Sequence, residues 1–140
     1  MSEVTVFLVN DEKLDRYVAY RRIAKSGFFG EILEALSGDL FLEQFFSQDW
    51  KAVSPERVAL IFMDINMPGL NGFETLEELE RRLETECGPD RIVAIFLTSS
   101  NNPSDRERAK GLKVVKGYFT NPMNDEDVEH IHTLCFPKGD

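Results

Sequence analysis

Four apolar runs in the chain each end in side chains that could do chemistry. Residues 4–9 lead into Asn10-Asp11-Glu12, residues 58–63 into Asp64, residues 91–97 into Thr98-Ser99, and residues 114–120 into Asn121-Pro122. A carboxylate is a usable nucleophile, and oxygen donors suit hard divalent cations. One aspartate behind one strand is ordinarily a helix cap. Four polar ends behind four apolar runs argue instead for a shared site, provided the runs lie parallel with their ends on one edge.

The stretches between the runs supply that arrangement. Residues 13–25 form an expected helix closed by Ser26-Gly27, with Leu14, Tyr17, Val18 and Ile23 suited to a core and Arg21 and Arg22 interrupting the stripe. Residues 30–35 read as a strand, and Asp39 could cap a helix through Phe46. Phe73, Leu76, Leu79 and Leu83 recur at helical spacing within 73–86, stopped by Gly88-Pro89. Asn102-Pro103 starts a helix ended by Gly111, and Asn124 caps a last helix with acids in its first turn. Trp50 reads as a packing residue, and His130 and His132, two apart, as surface residues on different sides of a helix. Five β/α units with right-handed crossovers give an open, doubly wound parallel sheet with helices on both faces. Ligands of such sheets bind beyond the carboxyl ends of the strands.

The segment IFMDINMPGLNGFE, residues 61–74, with Thr98-Ser99, Gly117-Tyr118 and Asn121-Pro122 further on, resembles the receiver domains of two-component response regulators along essentially the whole chain. The resemblance implies an α/β flavodoxin-like (βα)5 fold, strand order 2-1-3-4-5, in one stand-alone domain over 1–140 with no output domain. It implies that Asp64 accepts a phosphoryl group from a histidine kinase or histidine phosphotransfer protein. Mg²⁺ would be held by Asp11, Asp64 and the backbone carbonyl of Asn66, with Asn10 beside them. Thr98 would contact the phosphoryl group and Tyr118 would move inward as a switch. The readout face would be the fourth helix, fifth strand and fifth helix, presented to a downstream protein target. The chain would be an acceptor rather than an enzyme.

Two positions depart from the family pattern. Asn10 stands where the family usually has an acid, and Asn121 where it has a lysine. Lys116 lies five residues before Asn121, too early to replace that lysine, and Lys13 is a candidate only by its nearness to the first loop. The usual three carboxylates and one ammonium carry the same net charge as Asp11 and Asp64 alone, so the two changes compensate for folding, where an unpaired buried charge is costly. They need not compensate for function. Two classes follow: a working phosphoacceptor with an altered site, or a pseudo-receiver that binds partners without chemistry.

Other classes fit worse. An aspartyl-phosphate phosphatase would want an acid at Asn66, and a calcium loop counted from Asp64 would end on Thr75 rather than Glu. A flavin-binding relative of the same architecture would want a Ser/Thr/Gly loop where Asn10-Asp11-Glu12 stands. A formal charge of −9 over 140 residues disfavours nucleic acid as a partner. No apolar stretch is long enough to cross a bilayer, and no leader is apparent. Cys87 and Cys135 are expected to be free thiols, which fits a cytoplasmic location.

Overall fold

A computed structural model describes residues 3–136. Ten elements alternate along the chain: β1 (Val4–Val9), α1 (Lys13–Ser26), β2 (Ile32–Ala35), α2 (Gly38–Phe46), β3 (Val58–Met63), α3 (Gly72–Arg82), β4 (Arg91–Thr98), α4 (Pro103–Ala109), β5 (Val115–Thr120) and α5 (Asp125–Cys135). The strands form one parallel sheet in the order β2-β1-β3-β4-β5, as the sequence predicts. Val9 pairs with Met63 and Met63 with Phe96, so the residues that follow β1 and β3 emerge at one level on the carboxyl edge.

Alternation of side chains along each strand divides the core into two layers. Phe7, Ile61, Met63 and Phe96 face α2, α3 and α4, where Phe41, Phe45, Phe73, Leu76 and Leu79 are buried. Val6, Leu8, Leu60, Phe62 and Ile95 face α1 and α5, against Ala19, Ile23, Val128 and Ile131. Both faces are covered, which is why the central strands are continuous apolar runs. Trp50 is buried as expected, and its indole N–H donates to Phe45 O at 2.8 Å. Cys87 is exposed; Cys135 is buried, which pushes its thiol up to about 12.

Several sequence expectations need correction. Leu14, Tyr17 and Val18 are 72%, 55% and 39% exposed, and α1 reaches the core through Ala19 and Ile23. Ser37, not Asp39, caps α2: its hydroxyl accepts from Leu40 N at 3.1 Å. Starting α2 at Gly38 puts Phe41, Leu42 and Phe45 on the buried face. The second strand begins at Ile32, α3 gives way to turns after Arg82, and α4 ends at Ala109, before Gly111. His130 is exposed, whereas His132 is half-buried and stacks on Phe28 with ring centroids 4.6 Å apart. The α5 surface at that position is closed by the aromatic residues that follow α1.

Candidate functional site at the carboxyl edge of the sheet

Asp64 sits one residue beyond β3, and its amide donates to Val9 O at 3.1 Å, so the β1–β3 ladder itself fixes its backbone. The same strand ends carry Asn10 and Asp11 beside it. One Asp64 carboxylate oxygen accepts from Ile65 N at 2.8 Å, and the Thr98 hydroxyl donates to the carboxylate from β4. Burial pushes the Asp64 carboxyl above its ordinary range; the bonds from Ile65 N–H and Thr98 pull it back, and the charges of Asp11 and Asp15 push it up again.

The loop after Asp64 returns the chain directly onto the site. Gly69 takes the left-handed conformation at φ 75°, and Met67 is buried beneath the loop. Gly72, the first residue of α3, donates to Ile65 O at 2.8 Å. A side chain at Gly72 would collide with the Asp64 carbonyl, so the close approach requires glycine here. Asn71 and Glu74 close a reciprocal capping box at the start of α3. Asn66 is exposed in the loop between Asp64 and Met67.

On the β1 side, Asn10 is almost fully buried, and its backbone and side-chain oxygen are engaged. Its amide donates to Ala35 O at 3.1 Å, its side-chain oxygen accepts from Glu12 N at 2.8 Å, and its carbonyl accepts from Arg16 Nη1 at 2.9 Å. Glu12 is exposed and caps α1 without a side-chain bond. Asp11 differs from both: its Oδ1 is buried and has no hydrogen-bond partner. An orphaned carboxylate oxygen beside Asp64 fits a divalent cation. Among the described residues no cluster of three or more His, Cys, Asp or Glu is found. The donor set is therefore two carboxylates with backbone oxygen, which suits an ion that keeps several of its waters.

On the β5 side, Asn121 is half-buried; its amide donates to Thr98 O at 2.9 Å, and its peptide bond to Pro122 is cis. Thr98 is fully buried, and its hydroxyl oxygen also accepts from Ser100 N at 3.2 Å. Tyr118, on β5, reaches the loop after Thr98: its hydroxyl donates to Ser100 O at 3.0 Å, and Arg106 stands 4.4 Å over its ring. Lys116 is turned away, its ammonium donating to Lys113 O at 3.0 Å, and Lys13 is exposed at the start of α1. The structure thus brings Asp11, Asp64, Thr98 and the Asn10 and Asn121 backbones to one rim, with Tyr118 behind the Thr98 loop.

Arg16 and Asp15 escaped the sequence reading. Arg16 bridges Asn10 O and Glu34 Oε1, the latter at 3.1 Å, and its side chain is only 13% exposed. The available signal was spacing: Arg16 is four residues after Glu12, so the first turn of α1 aims it back at the loop it follows.

A parallel sheet in this order, with two carboxylates, Asp11 and Asp64, at the rim of its switch point, is the architecture of a receiver-type signalling domain. The chain belongs to the response regulator receiver domain family, whose profile matches residues 6–132. It is 27% identical over 122 residues to protein PilH of Pseudomonas aeruginosa, covering 86% of this chain and 88% of that protein. It is 28% identical over 123 residues to response regulator Rcp1 of a Synechocystis species, covering 88% and 80%. Its fold matches a response regulator receiver protein from Dyadobacter fermentans with a TM-score of 0.77 at 20% identity, over 96% and 98% of the two chains. A CheY-like receiver domain from Methanospirillum hungatei matches with a TM-score of 0.65 at 25% identity, over 94% and 93%. Among the described residues no helix is long and apolar enough to cross a membrane.

Proposed function

We propose that Asp64 is the phosphoacceptor of a two-component phosphorelay, taking its phosphoryl group from the phosphohistidine of a histidine kinase or histidine phosphotransfer protein. The observation that carries this reading is a buried, unpartnered Asp11 oxygen beside an Asp64 carboxylate that already receives the Thr98 hydroxyl. Asp11, Asp64 and the Asn66 carbonyl would hold Mg²⁺. Asn10 is the poorest donor, because its side-chain oxygen is committed to Glu12 N. When bound, the ion neutralises the phosphoryl oxygens that would otherwise repel two carboxylates.

An Asp64 oxygen forms the new O–P bond as the donor's N–P bond breaks, and the electron pair of that bond stays on the imidazole. The Thr98 hydroxyl, released from the carboxylate, donates to a phosphoryl oxygen. Asn121 offers an amide N–H where an ammonium would add charge. Movement of Thr98 is felt through Ser100, to which both Thr98 and Tyr118 are bonded, and so at the face formed by α4, β5 and α5, where a downstream protein would read it. The donor would dock on the outward side of α1. The chain is an acceptor with at most self-catalysed transfer and hydrolysis, and we place it in the cytoplasm without nucleic-acid or membrane partners.

A second reading, the phosphorylation-independent pseudo-receiver, is favoured by two observations. Asn121 carries no charge, and Tyr118 is already tied to Ser100 without a phosphoryl group. Incubation with Mg²⁺ and a small acyl phosphate, followed by intact mass measurement, separates the two. One added phosphoryl group that disappears in Asp64→Asn supports the acceptor. Labelling of Asn121→Lys alone, with the wild-type chain unlabelled, establishes the pseudo-receiver.

A further inference from the structure

Among the described residues, Arg16 is the one cation bonded to the loop that carries Asp11. Its Nη1 donates to the Asn10 carbonyl at 2.9 Å and its Nε to Glu34 Oε1 at 3.1 Å. Glu34 lies on β2, paired with Leu8 of β1. The guanidinium therefore links α1, the β1 end and the edge strand in one polar clamp. Asn10 contributes the rest: its amide is held by Ala35 O, and its side chain by Glu12 N. The backbone N–H, the carbonyl and the side-chain oxygen of Asn10 are thus all engaged, while Asp11 Oδ1 is buried and has no partner.

Such an oxygen is costly to keep unsatisfied, so it stays without a partner only where its surroundings prevent it from turning elsewhere. A guanidinium four residues along an adjacent helix is the obvious partner for a neighbouring carboxylate. Here it is instead spent on a backbone carbonyl and on Glu34. We propose that Arg16 is a positioning residue for the cation site: with Glu34 it locks the Asn10–Asp11 peptide so that Asp11 Oδ1 stays aimed, unpaired, at the rim. This rests on the cation site of the proposed function and adds a residue outside the ligand set. The geometry also gives Asn10 a role. An asparagine in that place spares the clamp a second acid that would compete for Arg16.

The sign of the effect makes the proposal testable. If Arg16 acted only as a nearby positive charge, its removal would tighten Mg²⁺ binding. If it positions Asp11, its removal weakens binding, and loss of a group that orients a ligand typically costs about 10- to 100-fold in metal affinity. Mg²⁺ is titrated calorimetrically into the wild-type chain and into Arg16→Gln, Arg16→Lys and Glu34→Gln, with metal-free melting as the control for fold. We expect Arg16→Gln to bind Mg²⁺ about 10-fold more weakly or worse while still melting cooperatively in metal-free buffer. Arg16→Lys, which keeps the charge and one bond, should fall between. Glu34→Gln should show a smaller loss in the same direction. Unchanged or tighter binding by Arg16→Gln overturns the proposal. Should that variant not fold, unchanged affinity in Glu34→Gln overturns it. Absence of saturable Mg²⁺ binding by the wild-type chain overturns the cation site itself, and this inference with it.

Discussion

Helices α1 and α3 both begin at the rim, on opposite faces of the sheet, and they are built in contrasting ways. α3 starts with a reciprocal capping box between Asn71 and Glu74 and buries Phe73, Thr75, Leu76 and Leu79. α1 has no side-chain cap and buries only Ala19 and Ile23, while Leu14, Tyr17 and Val18 point outward. α3 is anchored by packing, and through Gly72 it holds the Asp64 turn. α1 is tied at its start by the polar clamp of Arg16 and near its C-terminal end by Phe28 and Phe29 packed with the α5 side. One flank of the site is thus scaffold. The other leaves a row of large side chains free for contact.

If that contrast is right, substitutions on α3 should be felt as lost stability. Leu79→Ala is expected to cost about 2–5 kcal/mol, because Leu79 is fully buried and the surrounding layer of aromatic rings cannot collapse onto the cavity. Asn71→Ala comes next, at about 1 kcal/mol, from loss of the cap to Glu74 N. Urea or thermal unfolding measures both. A Leu79→Ala cost below that of Asn71→Ala would break the picture of α3 as the packed flank.

The same two helices show what could be read from sequence. The stripe of Phe73, Leu76 and Leu79 was legible because period and burial agree there. On α1 the expected row is Leu14, Tyr17, Val18 and Ile23; Ile23 is buried as expected, but beside Ala19, while the other three are exposed. A small residue lets the helix lie close to the sheet, and spacing alone does not say which of two rows does so. Ser37 and Asp39 were competing caps, decided by the phase of Phe41, Leu42 and Phe45. Asp64, Asp11 and Thr98 were legible because strand ends are local features that a parallel sheet brings together automatically. Arg16 was not, since its role depends on Glu34 in another strand, and the register of β1 with β2 is set by the fold as a whole.

The seam between the two flanks gives a smaller effect of opposite sign. The Asp64 carboxyl is raised, chiefly by burial, above the ordinary value that it has in the unfolded chain. The folded state therefore binds the proton more tightly. Asp64 opposes folding above its folded value, and that penalty disappears as the pH falls toward the ordinary aspartate value. In metal-free buffer, Asp64→Asn should melt slightly higher than the wild-type chain near neutral pH, with the gain shrinking on acidification through that window. A gain that grows on acidification would mean that hydrogen bonds, rather than burial, dominate the carboxylate.

The smallest effect is the sharpest test of the outward flank. Leu14 is 72% exposed, so Leu14→Ser removes little buried area. Substitutions away from packed or bonded features ordinarily fall within about 0.5 kcal/mol. Leu14→Ser should leave the unfolding midpoint nearly where it is. It should also leave uptake from a small acyl phosphate unchanged while slowing transfer from a phosphohistidine protein, because only the protein donor needs the helix surface. A stability loss approaching that of Leu79→Ala would show that α1 packs as tightly as α3. Equal slowing with both donors would move Leu14 from a docking surface to the chemistry at the rim.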